Sequence, residues 1–125
     1  MTLQDIQKRN EHFQRKAAGL VDLLPTGGLL DVTTALIRSA RLIDKYLTKL
    51  VQATNEDQFS LAMKLIEEEL DESVFILDRM DQKNRKYKLK IIENFLKEGY
   101  DLLSVYSLCC DHIISKRVNK DEEVL

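Results

Sequence analysis

The chain predicts an all-α protein, an antiparallel up-and-down four-helix bundle with a long C-terminal helix. Two observations carry that prediction. Apolar residues recur at three- and four-residue steps over long stretches, the period of one helix face. The breakers are few and gathered: Pro25, Gly27 and Gly28 stand together, and little else interrupts the chain. An all-β fold needs turn signals every ten residues or so, and these are missing. With 125 residues, the chain has the length of one domain, spanning 1–125.

The first helix is expected over about 3–24. Its stripe is Leu3, Ile6, Phe13, Ala17, Leu20, Val21 and Leu24, interrupted by Asn10. Pro25-Thr26-Gly27-Gly28 ends it. The second helix is expected over about 31–53, with Asp31 a candidate N-cap. Its stripe, Val32, Leu36, Ala40, Ile43, Leu47 and Leu50, has near-heptad spacing. Thr54 or Asn55 caps a third helix over about 56–80, whose acidic first turn suits a helix N-terminus. Its core stripe is Phe59, Ala62, Met63, Ile66, Leu70, Val74 and Leu77. The polar segment Asp81–Arg85 reads as a connector to a fourth helix over about 84–117, followed by a frayed tail, 118–125. The fourth stripe includes Ile92, Phe95, Leu96, Leu103, Tyr106, Cys110 and Ile113. Gly99 lies inside that helix, where glycine costs about 1 kcal/mol, and marks a bend or a close approach.

Charge is unevenly placed. The net charge of −2 divides into +3 over residues 1–53, −7 over 54–81 and +2 over 82–125. Such asymmetry points to charge-matched contacts within or between subunits. On the third helix Leu61, Leu65 and Ile76 fall roughly 200–260° from Phe59, well off the core stripe. They are the candidate subunit interface. On the second helix Arg38, Arg41, Lys45 and Lys49 form one basic stripe. Three readings stay open for it: a solvated face, a partner for the acidic third helix, or a phosphate contact. Lys83, Arg85, Lys86, Lys88 and Lys90 form a second basic cluster, with Tyr87 among them. Placed at a helix start, that charge opposes the macrodipole, so an acidic partner or a phosphate would have to favour it. A negative net charge argues against a dedicated nucleic-acid binder.

The residues offer no catalytic set, cofactor site or metal site. His12 and His112 lie in no ligand pattern, and the Glu-x-x-His pairs of a di-iron bundle are missing. Glu67, Glu68, Glu69, Asp71 and Glu72 spread around their helix and cannot converge on one ion. Gly27-Gly28 lacks the rest of a phosphate loop. Cys109 and Cys110 are adjacent, which fits small core residues better than a disulfide framework. Cys109 with His112 lacks an orienting third group. The polar start (Thr2, Gln4, Asp5, Gln7) has no signal-peptide pattern, and no apolar run approaches the ~20 residues of a membrane span. A cytoplasmic location is the expectation.

Several segments carry a family resemblance. Ile37-Arg38-Ser39-Ala40 lies mid-helix. Glu56-Asp57-Gln58-Phe59 opens the next helix, which goes on to Ala62 and Glu67-Glu68-Glu69-Leu70. Glu98, Leu102-Leu103 and Ile113-Ile114-Ser115-Lys116-Arg117 follow in the last helix. The pattern resembles the four-helix bundle family of 23S rRNA intervening-sequence proteins, which also holds accessory proteins of diversity-generating retroelements. Where that family often has Pro after its Ile-Arg segment and Gly at the end of the second helix, this chain has Asp44 and Leu50 in those neighbourhoods. The resemblance implies a bundle, a homo-oligomer of the pentameric kind and no catalytic residues. Within it, the expected function is a non-enzymatic interaction or scaffold module that binds itself or a protein partner. The alternative is a nucleic-acid-binding accessory to RNA or a reverse transcriptase.

Overall fold

In a computed structural model, backbone is described for residues 3–24 and 27–124, and side chains for 3–24 and 27–116. The described chain forms four helices: α1 (Leu3–Leu23), α2 (Gly28–Gln52), α3 (Glu56–Tyr87) and α4 (Lys90–Val124). Among the described residues, the backbones of α1 and α2, α2 and α3, α3 and α4, and α1 and α4 approach closely, and those of α1 and α3 or of α2 and α4 do not. Four helices whose backbones adjoin only around a ring enclose one core, with side chains meeting across it. Ile6, Leu20, Ile43, Leu47, Ile66, Leu77, Met80, Ile92 and Tyr106 are sealed in it.

Local chemistry sets the ends. The α2 N-cap is Gly27, whose φ of 134° favours glycine. Asp31 therefore lies in the first turn of α2, not at its cap. At α3 the cap is Asn55, whose side chain accepts from the Gln58 N–H at 2.9 Å. The Gln58 side chain in turn accepts from the Thr54 N–H at 2.9 Å, a reciprocal arrangement akin to a capping box.

The α3–α4 boundary differs from the sequence reading. The segment Asp81–Arg85 is not a connector; α3 continues through it to Tyr87. Polarity by itself does not stop a helix, and the segment contains no Gly or Pro. The chain turns instead at Lys88, in the left-handed region with φ 54°. Asn84 makes that turn possible without glycine. Its buried amide donates to the Leu89 carbonyl and accepts the Leu89 N–H, both at 3.1 Å. At the other end α4 runs on to Val124, through most of the tail expected to fray. The side chains of 117–125 lie outside the described residues.

Gly99 is a close approach. A Cβ there would stand 3.0 Å from a Leu77 methyl and 3.1 Å from the Phe13 ring. Phe13 stacks on Phe95 with centroids 4.5 Å apart, joining α1 to α4 at this level. Polar residues are also sealed inside. Asn10 donates to the Ala40 carbonyl at 2.9 Å, while its own carbonyl oxygen is buried without a partner. Tyr106 donates to Asp44 at 2.5 Å. Between α2 and α3, Ser39 donates to Glu69 at 2.7 Å and lies 2.6 Å from the Ser73 hydroxyl. With Ser39's single proton given to Glu69, Ser73 is the donor in that pair.

Candidate interaction surfaces

The two basic groups take different positions. Arg38, Arg41, Lys45 and Lys49 all point outward from α2. Among the described residues, no ion pair joins them to Glu67, Glu68, Glu69, Asp71 or Glu72. Arg38 instead lines a groove of about 500 Å³ between α2 and α3, with Leu42, Glu69, Glu72 and Ile76.

The second cluster is split. Lys83 is half-buried and lies over the first turn of α2, its side chain filling the space beside Gly28. Arg85 reaches Asp81 at 3.6 Å, an exposed pair of little energetic weight. The Lys86 ammonium sits 5.8 Å from the Tyr87 ring centroid. Because α3 extends to Tyr87, Arg85 and Lys86 occupy its last turn, not the first turn of the next helix. There the macrodipole favours positive charge by about 0.3–1 kcal/mol each. The electrostatic reason for invoking a phosphate at these two residues is thereby removed. Lys88 and Lys90 are exposed beside them, at the turn and at the start of α4.

The expected subunit strip divides likewise. Leu61 is 58 % exposed and Leu65 half-buried, but Ile76 is 6 % exposed, covered within the chain beside α2. Val74, assigned to the core, is 40 % exposed. Both corrections have one cause: the buried arc of α3 is turned toward α2, its broadest contact. Ser73, Ile76, Met80 and Asn84 lie on that arc. The sequence reading did not single out Phe75, Ile91, Leu23 or Leu108, all large and more than half exposed. The signal was present, since each lies off its helix's core stripe.

The α1–α4 side has two further depressions. One, about 410 Å³, is lined by Lys8, Arg9, His12, Phe13, Lys16, Glu98 and Leu102. The other, about 350 Å³, has mostly apolar walls, including Leu20, Leu23, Ile91 and Phe95. Lys16 bridges to Glu98 at 2.6 Å and borders both.

Reactive groups are held back. Burial pushes the Cys110 thiol up to about 11, with the charges of Cys109, Asp111 and Glu67 adding, and burial also raises Cys109. A raised thiol is a poor nucleophile at neutral pH. Both cysteines are free. A thiol reagent at pH 8 is expected to modify half-buried Cys109 first and Cys110 only on unfolding. Equal rates in the folded protein would contradict the buried position of Cys110. Among the described residues, no group of three or more His, Cys, Asp or Glu side chains is placed to hold a metal ion. No described helix is long and apolar enough to cross a membrane.

The fold and its surfaces define an all-α, four-helix protein with apolar and charged patches on its outer faces. Comparison with family models, curated proteins and solved structures finds no match.

Proposed function

We propose that this chain is a non-enzymatic interaction module, an antiparallel up-and-down bundle that assembles with copies of itself and holds a protein partner. We assign it to the intervening-sequence protein type on the residue pattern described above. Pairings along the helices support the antiparallel arrangement: Gln7 meets Thr48 while Asn10, further along α1, meets Ala40, earlier on α2. The observation that carries the self-association reading is the set of large apolar side chains left outside the core. Leu23, Leu61, Phe75, Ile91 and Leu108 are between 53 % and 73 % exposed. Single exposed apolar residues are ordinary, but Leu23 and Ile91 line the same groove. The free, adjacent cysteines suit a reducing cytoplasm.

Light scattering over a range of concentrations tests the reading. A mass well above 14.5 kDa is expected, and a clean monomer at the highest concentration would overturn it. A second reading, an accessory that binds RNA or DNA, draws on the exposed stripe Arg38, Arg41, Lys45 and Lys49, which the α3 acids do not neutralise. Phosphate binding weakens steeply with salt. Titration of structured RNA at low and high salt decides this reading, and no binding at low salt removes it.

A further inference from the structure

The two depressions along α1 and α4 adjoin, because Lys16 and Glu98 border both. Together they form one groove, basic at the Lys8–Arg9 end and apolar at the Leu23–Ile91 end. The outer face of α3 has the complementary pattern. Glu67, Glu68 and Asp71 are exposed, and one to two turns further on Val74 and Phe75 are 40 % and 55 % exposed. Residues 67, 71 and 74, and likewise 68 and 75, share a helix face through three-, four- and seven-residue steps. Along both helices the charged side chains precede the apolar ones: Glu67, Glu68 and Asp71 come before Val74 and Phe75, and Lys8 and Arg9 come before Leu20 and Leu23. The order of acid then apolar on one face therefore matches that of base then apolar on the other when the two helices run parallel.

We propose that the α3 outer face of one copy docks in the α1–α4 groove of a second copy. Phe75 and Val74 cover the apolar end, while Glu67, Glu68 and Asp71 meet Lys8 and Arg9. The proposal rests on the self-association reading and gives it an interface. Charge complementarity identifies the occupant: Lys8, Arg9 and Lys16 against Glu98 leave that end of the groove basic, and residues 54–81, which supply the docking face, carry −7. Since the backbones of α1 and α3 do not adjoin and the two helices lie across the bundle from each other, one copy can offer both faces at once. Such a contact joins unlike surfaces, so assembly continues past a dimer.

Charge reversal tests it. K8E/R9E and E67K/E68K change exposed residues only, and each variant is expected to keep its helical circular dichroism. Each should weaken self-association at least tenfold. Mixing the two variants should restore large species, because each mixed contact again pairs opposite charge. If the unaltered chain assembles and either variant keeps its mass, the interface lies elsewhere and only this proposal falls. The same holds if both variants are monomeric and their mixture stays so. If the unaltered chain is monomeric, both this proposal and the self-association reading fall.

Discussion

Replacing Phe13 with alanine is expected to cost about 3–4 kcal/mol, the range for a buried aromatic truncated in a core that cannot collapse. The ring is 6 % exposed and stacks on Phe95, so the substitution removes contacts on both α1 and α4. Collapse is hindered by the same geometry that places Gly99 here. The α4 backbone already lies as close to Phe13 and Leu77 as a missing side chain allows. Against a typical stability of about 5–15 kcal/mol, the loss is large, and the melting temperature should fall by on the order of 10 °C. Chemical denaturation with an unchanged slope measures it. A loss under about 1 kcal/mol would show that the α1–α4 seam is loosely packed.

Asn10→Asp is expected to be as severe at neutral pH and nearly silent in acid. Asn10 is 0 % exposed, and the hydrogen bonding around it extends to Asp44 and Tyr106. Asp44 is already held above the usual carboxylate range, chiefly by burial, with Glu11 adding repulsion while Asn10 and Tyr106 pull it down. A second carboxyl beside it would meet both burial and like charge, and each raises a folded-state acid. An acid raised on folding binds its proton more tightly in the folded chain. Its penalty is therefore absent below the unfolded value near 4 and grows as pH rises through the raised folded value. The variant should lie close to the parent at about pH 4 and lose about 3 kcal/mol by pH 7. Urea unfolding at the two pH values checks this. A loss independent of pH would mean that the change acts through packing rather than charge.

The helices and most of the core were legible in the sequence because each apolar stripe states its own period. Val32, Leu36, Ala40, Ile43, Leu47 and Leu50 recur at the spacing of one face of α2, and all six are buried. Apolar periodicity is silent where the deciding residue is polar. Asn10, Ser39, Ser73 and Asn84 are sealed inside, and a search for apolar spacing passes over them or counts them as interruptions. The α3–α4 turn was misplaced for a related reason. The usual mark of a left-handed C-terminal residue is Gly or Asn, whereas here Lys88 takes that conformation, supported by the Asn84 side chain four residues earlier. The groove along α1 and α4 could not be read at all, because its two walls come from helices far apart in the chain.

By itself the sequence determined that the chain is helical, roughly where its four helices run, and that its charge is segregated along its length. Those properties belong to local spacing and composition. Only the tertiary structure decided which way α3 faces. A helix with apolar residues on two flanks satisfies its own periodicity in more than one rotation, and packing against α2 selected the one that buries Ile76 and exposes Val74. The same packing decided where the basic residues stand, carrying Arg85 and Lys86 to the end of a helix that favours them and Lys83 onto the start of α2. Rotation and end position are settled by what a helix touches, and that information is spread over the whole chain.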